Sequence, residues 1–417
     1  MPLKILHIST RLILGGSQEN TVLSCEGQAE LGHDVHLAFG PIFGPEGSLF
    51  DRADAFRTTS GARIGVHELP NLGRELNPIK DHFCFHKDLK KLITELNPDV
   101  VHTHSSKAGI LGRWAAWVAR DAHGKRPAVI HTIHGPPFMP IEGNAGTRTK
   151  TRLTNTIYTH AERFAAKRCD TIVSVADAMT EQFLARGIGR REQYITVRSG
   201  METEPFLHAG PGDDRASVRA QLGFNEDDFV IGTVARLAQH KGHDDLLDAM
   251  AEPMRTDPSI KLLWVGDGWW RDRLLARVKS LGLADRVVTP GLVTQNRVPA
   301  MMRAMDVLCH PSSREGLPRT VPQALLSGVC PVAYDVDGTR EACIEMETGR
   351  LVPRGDVDGL QESLLWVQAN PKDRSRLAET GRAMCAREFS HTAMVERLER
   401  VYEDAVLRAV LRAGRRV

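Results

Sequence analysis

Short β-branched runs alternate with helix-length amphipathic stretches from one end of this 417-residue chain to the other, and the series starts afresh near Phe229. The strand-like segments of the first series are Lys4–Ile8, Asp34–Phe39, Val100–Thr103, Ala128–Thr132, Thr171–Val175 and Tyr194–Val197. After the midpoint come Phe229–Val234, Lys261–Val265, Val287–Thr289, Val307–Cys309 and Pro331–Tyr334. Most are apolar on both faces, as parallel strands buried under helices on both sides must be. Between them the spacing predicts helices over Gln18–Leu31, Asp81–Leu96, Asp244–Met250, Trp270–Leu281 and Val321–Leu326. Such alternation implies βαβ units and the α/β class, here two doubly wound, Rossmann-like domains facing each other across a cleft, with ligands at the carboxyl ends of the strands. The stretch between Val197 and Phe229, rich in Gly, Pro and charge, reads as the interdomain crossing. The expected domains are 1–204 and 205–389, followed by a terminal helix over 390–417 that packs back on the first.

Composition removes several function classes. With 41% hydrophobic and 25% charged residues each half can bury a core, which excludes a disordered chain. No uninterrupted apolar run reaches the roughly 18–20 residues of a membrane span. The opening MPLKILHIST is not built like a signal peptide. Seven scattered cysteines with no CxxC pair argue against a disulfide framework and a zinc site, and suit a reducing cytoplasm. The net charge of +2 is an average, because residues 105–168 hold eleven basic and three acidic side chains. The expected helix Lys107–Arg120 sets Trp114 and Trp117 three apart among Lys107, Arg113 and Arg120, the make-up of a helix lying on anionic lipid. The same groups would suit a phosphorylated acceptor or nucleic acid, and the plainer alternative is a solvated helix with its tryptophans inward.

Three loops carry the chemistry. Gly15 and Gly16 stand between the first strand and the first helix, where paired glycines let backbone N–H groups approach a phosphate, or simply make a tight turn. No GxGxxG occurs, and the Gly266-Asp267-Gly268 turn has Arg271 in place of a third glycine, so a nicotinamide dinucleotide is not indicated. Arg236 and Lys241 follow the first strand of the second series and could grip one anionic group from two directions, neutralising a diphosphate leaving group without a metal. The segment from Pro311 to Gly328 places Glu315 at a loop apex before Gly316, Leu317 and Pro318, a carboxylate beside free N–H groups that suits a polyhydroxylated ligand. His134 follows a strand, where a lone histidine is either a structural hydrogen-bonder or a catalyst. His102 and His104 have the look of a metal pair, but no third ligand has suitable spacing, and they are assigned to structure or acceptor-site shape.

These motifs resemble glycosyltransferase family 4, the retaining nucleotide-sugar transferases of GT-B fold. The family's landmark is a Glu, seven residues, then a second Glu; here Glu315 fills the first position and Gln323 the second. The likeness extends to the Gly15-Gly16 loop, HTH at 102–104, IHG at 133–135, Arg236 to Lys241, VGDG at 265–268 and GTRE at 338–341. It implies that Gly16 meets the donor phosphates, that Arg236 and Lys241 stabilise the departing diphosphate, and that Glu315 and the amides from Gly316 onward contact the transferred sugar. His134 matches the family histidine beside the sugar, and Gln323 would hold the ribose hydroxyls without a charge. Nucleotide-base contacts would come from loops that include Gly266. The function implied is transfer of a sugar from a nucleoside diphosphate to a hydroxyl of a glycan or lipid-linked acceptor, in cell-surface polysaccharide or glycolipid synthesis and without a metal. A sugar-nucleotide epimerase, a phosphorylase or a non-catalytic sugar-nucleotide binder are the alternatives on the same scaffold. Since many members act on lipid-linked acceptors, the basic helix suggests a peripheral position on the inner face of the membrane; nucleic acid is not expected as a partner.

Overall fold

The structure is a computed structural model and describes residues 1–42, 47–75, 77–138 and 145–414; Glu142 of the basic stretch lies outside them. In the first sheet β1 (Lys4–Ser9), β2 (Asp34–Phe39), β3 (Gly65–Glu68), β4 (Val100–His104), β5 (Ala128–Ile133), β6 (Thr171–Ser174) and β7 (Tyr194–Thr196) pair in parallel in the order β3-β2-β1-β4-β5-β6-β7. Sequence order reverses between β1 and β4, which lie side by side with His7 opposite His102. Both strands are buried on both faces. Leu6, Ile8 and Val101 pack with Ala108, Ala115 and Ala116 of the helix Ser106–Val118. On the other face Ile5, Val100 and Ile130 pack with Met394, Leu398, Val401 and Tyr402 of the helix His391–Gly414.

The second sheet repeats the plan with β8 (Phe229–Val234), β9 (Ile260–Val265), β10 (Val287–Gly291), β11 (Val307–His310), β12 (Cys330–Tyr334) and β13 (Arg350–Val352), in the order β10-β9-β8-β11-β12-β13. Its reversal falls between β8 and β11. A core that includes Ile231, Leu247, Met250, Trp264, Leu274, Val332 and Leu364 closes one face. Two strands outside the sequence reading, β3 and β13, are short edge strands; pairing on one side only, they need no continuous apolar run. The expected helix over Asp81–Leu96 is broken into Pro78–Phe83, a π-helical turn Cys84–Leu89, and Lys90–Leu96. The wider turn lets Cys84, Phe85 and Leu89 all face the core.

The chain divides into one unit of Met1–Met201 with His391–Val417 and a second of Glu202–Ser390. The division falls a few residues before the expected boundary because the chain is still tied to the last helix at Gly200 and Met201. The His391 N–H donates to the Met201 carbonyl, and a Cβ on Gly200 would stand 2.7 Å from the His391 Cα. Gly27 serves the same contact further along, where a Cβ would meet a Val395 methyl at 2.5 Å.

The basic helix differs from its expectation as a lipid-facing surface. Arg113 is fully buried, with its Nη2 2.6 Å from the equally buried Glu162 and its Nε donating to the Gly109 carbonyl. The position falls on the sheet-facing side of Ser106–Val118, and a guanidinium there must be neutralised. Lys107 is also committed, 2.5 Å from Asp81. Trp117 is half-buried under the Arg126 guanidinium, and Arg120 folds back onto the Trp117 carbonyl. Trp114 keeps an exposed edge while stacking on Phe85. Removing one member of a buried pair strands the other's charge, so Glu162→Ala is expected to destabilise the first unit by about 3–5 kcal/mol. Arg113→Met combined with Glu162→Leu should recover most of that loss. Urea denaturation followed by amide exchange in the helix Ser106–Val118 checks both.

Candidate active site

In each sheet the reversal of strand order sends neighbouring connections to opposite faces and leaves the strand ends uncovered. Gly15 and Gly16 stand at the first of these places, and Arg236, Lys241 and Glu315 at the second. In the second unit β8 leads into Arg236 and Lys241, and β11 leads into Glu315. Backbone contacts hold the two loops together. The Ser313 N–H donates to the His240 carbonyl at 2.8 Å, and Ser312 Oγ to the same oxygen at 3.1 Å. Gly242, at φ 71°, lies so near that a Cβ would come within 2.0 Å of the Pro311 carbonyl. Gly266, at φ 136°, is equally constrained by the Ala235 carbonyl, which pins the third loop beside them.

Lys241 Nζ lies 2.5 Å from Glu315 Oε1, and His310 Nε2 is 3.2 Å from the same oxygen. The Glu315 N–H donates to Asp337 Oδ2 at 2.6 Å, and the Gly338 N–H to the Gly316 carbonyl, so the Asp337–Glu341 turn supports the loop apex. Burial alone would push the Glu315 carboxyl up; His310 and the Lys241 ammonium outweigh it and hold the group well below the usual carboxylate range. Burial pushes nearby His243 down to about 4, so it adds no charge at neutral pH. Arg236 is exposed, with its guanidinium over the Trp269 ring at 5.6 Å. Leu317 and Pro318 are buried and set the loop, and Gly316 is half-buried. Gln323, one turn into the helix Thr320–Leu326, is half-buried, and its side-chain amide makes no hydrogen bond among the described residues. His310 and Asp337 escaped the sequence reading. The signal for the first was its place, directly between an apolar strand and the Pro311 loop.

In the first unit Gly15 and Gly16 open the helix Gly16–Glu30, with the Glu19 N–H donating to the Gly15 carbonyl. His134 follows β5 and is half-buried, its ring stacked on His104 with Nε2 3.0 Å from His104 Nδ1. A third imidazole, which sequence spacing could not supply, comes from β1: His7, His102 and His104 bring ligand atoms within 4.8 Å of one another. Parallel pairing of His7 with His102 puts all three on one face. Their nitrogens are nonetheless committed to hydrogen bonds. His7 Nδ1 is 2.9 Å from His104 Nε2, and His7 Nε2 is 2.7 Å from Gln28 Oε1. His102 lies between the Tyr402 hydroxyl at 2.6 Å and Thr132 Oγ1 at 2.7 Å. Burial holds all three well below their ordinary range, and therefore neutral.

Two Rossmann-like units, the second with a Lys–Glu–His cluster at its switch point, define the GT-B class of glycosyltransferase. A model described as Glycosyltransferase Family 4 matches residues 14–204, and one described as Glycosyl transferases group 1 matches residues 214–384. The chain belongs to glycosyltransferase family 4. It is 26% identical over 409 residues to the Escherichia coli UDP-Gal:alpha-D-GlcNAc-diphosphoundecaprenol alpha-1,3-galactosyltransferase, covering 97% of this chain and 98% of that one. It is 32% identical over 327 residues to the D-inositol 3-phosphate glycosyltransferase of Segniliparus rotundus, covering 76% and 67%. Among solved structures, Anabaena HepE in complex with UDP has a TM-score of 0.74 at 20% identity, over 96% of this chain and 100% of that one. Sucrose-phosphate synthase from Thermosynechococcus elongatus has a TM-score of 0.77 at 19% identity, over 96% and 98%. Among the described residues no helix is long and apolar enough to cross a membrane.

The Glu315 carboxyl ionises more readily folded than unfolded, so the stability it contributes is whole above its ordinary value of 4.5 and is lost as pH falls from there toward the depressed folded value. The stability difference between the native sequence and Glu315→Gln should therefore be flat above about pH 5 and narrow steadily below it. Denaturation of both proteins across that range measures it.

Proposed function

We propose that the chain is a retaining glycosyltransferase that moves a sugar from a nucleoside diphosphate to a hydroxyl of a glycan or lipid-linked acceptor. The reading rests above all on Lys241 and Glu315 meeting at the switch point of the second unit. In the reaction the bond from the sugar C1 to the diphosphate oxygen breaks and the acceptor oxygen joins C1 on the same face. The acceptor proton passes to the departing diphosphate. Arg236 and Lys241 take the charge that grows on that diphosphate, and no resident metal is expected. Lys241 carries three donors, so it can hold Glu315 with one and a phosphate oxygen with another. Glu315 and the amides of Gly316, Leu317 and Arg319 are assigned to the sugar hydroxyls. Gly15 and Gly16 are assigned to the donor phosphates, Gly266 to the base and Gln323 to the ribose.

A lipid-linked acceptor fits the relative whose named acceptor is a diphosphoundecaprenol, and it fits a peripheral membrane position. The surface for such contact lies further along the basic stretch than the helix Lys107–Arg120 that the sequence singled out. Exposed Leu153, Ile157 and Phe164 share one stripe of the helix Ala145–Ala166, and Phe164 meets Trp114 edge-on at 5.4 Å. Lys150 on the same helix is exposed beside the stripe, and Arg148 and Arg152 are exposed on its other sides.

Lys241→Ala and Glu315→Ala should each abolish transfer in a folded protein; near-native turnover by either removes the assignment. Gln323→Glu should restore a charge-assisted bond to the ribose, tightening donor binding by about 1–2 kcal/mol, roughly 5- to 30-fold. Thermal-shift titration with UDP-, GDP- and ADP-sugars measures this and identifies the base, since the bound donor raises the melting temperature by mass action.

A further inference from the structure

The buried histidines of the first unit form a chain with a direction. Gln28 lies at one end, with its Nε2 donating to the Tyr402 hydroxyl at 2.9 Å and its Oε1 turned to His7 Nε2 at 2.7 Å. A carbonyl oxygen can only accept, so His7 carries its proton on Nε2. His7 is neutral, which leaves Nδ1 as an acceptor, and the nitrogen 2.9 Å away, His104 Nε2, must be the donor. The same step repeats: His104 accepts at Nδ1, and its partner 3.0 Å away, His134 Nε2, donates. The branch through Tyr402 has the same polarity. Having accepted from Gln28, the tyrosine gives its one proton to His102 Nδ1, and His102 Nε2 donates to Thr132 Oγ1. A metal on His7, His102 and His104 would have to break bonds that every one of these nitrogens already makes.

We propose that Gln28, His7 and His104 are positioning residues that fix His134 as its Nε2–H tautomer, which makes its Nδ1 an acceptor in the transfer reaction. The relay lies wholly within the first unit; that its output serves the sugar rests on the glycosyl-transfer reading above. With Nδ1 unprotonated, His134 selects a hydroxyl donor on the substrate, and the ring, stacked on His104, cannot turn over without breaking the chain.

Nitrogen-15 spectra of the histidine rings in the native full-length protein at neutral pH test this without a variant. The expected result is His134 protonated on Nε2 and bare on Nδ1; the opposite tautomer overturns the proposal. His104→Leu should release His134 into a mixture of tautomers, while His104→Asn, whose Oδ1 can stand where Nδ1 stood, should restore the single form. An unchanged His134 spectrum in His104→Leu also overturns it. In transfer assays His104→Leu should lower kcat about 10- to 100-fold with little change in donor KM, and His104→Asn should recover most of the rate. One equivalent of added Zn²⁺ should leave the His7, His102 and His104 signals unmoved; stoichiometric binding there replaces the relay with a metal site. A fixed tautomer in a protein that transfers no sugar would uphold the relay and reject the glycosyl-transfer reading, so the two fail separately.

Discussion

The reversal of strand order, once between β1 and β4 and again between β8 and β11, is the constraint on which the rest depends. Parallel strands need long crossovers, and the crossovers must leave toward opposite faces where the order turns. That leaves each sheet with one bare pair of strand ends. Arg236, Lys241 and Glu315 follow β8 and β11, with His310 the last residue of β11; Gly15 and Gly16 follow β1, with His104 the last residue of β4. None of these side chains needs a fold of its own, because each stands where the winding of its sheet leaves room.

Charge at the second switch point is balanced within a cluster of three side chains. Glu315 is largely withdrawn from solvent beside Lys241 and His310, so desolvation and attraction act on it in opposite senses, and attraction prevails. An isolated carboxylate there would take up a proton or draw in water. Held by a lysine with donors to spare, it stays ionised. The Asp337 contact to the Glu315 backbone fixes the apex independently of the side chain.

The fold was legible in the sequence because its signal is redundant: eleven apolar runs, most of them buried on both faces, leave few ways to be wrong. Lys241 and Glu315 were legible too, since both stand in loops directly after apolar strands, and the loops after the two strands that flank a switch point must converge. What escaped depended on pairing. Arg113 reads as a surface cation until the helix Ser106–Val118 is docked and Glu162 arrives from another helix. His7 reads as one polar residue in an apolar strand until register sets it opposite His102. His310 and Asp337 gain their meaning only from Glu315, and Tyr402 lies 300 residues from the histidine it contacts. Local pattern carries elements well and carries partners only when they are near in sequence.

Tyr402 also explains why the last helix returns to the first unit. Its apolar neighbours Met394, Leu398 and Val401 would suffice to cover β1 and β4, and hydrophobic burial alone would be content with a phenylalanine. A polar row of three neutral imidazoles beneath that helix cannot be left without partners, because each unsatisfied buried nitrogen would carry the full loss of its hydration. The Tyr402 hydroxyl and the Gln28 amide close the row at its inner end, one from the final helix and one from the first. The outer end is His134, where the row comes nearest the surface. Tertiary closure of the first unit and the orientation of its candidate catalytic histidine are therefore one hydrogen-bonded structure, with the packing of the last helix as its foundation.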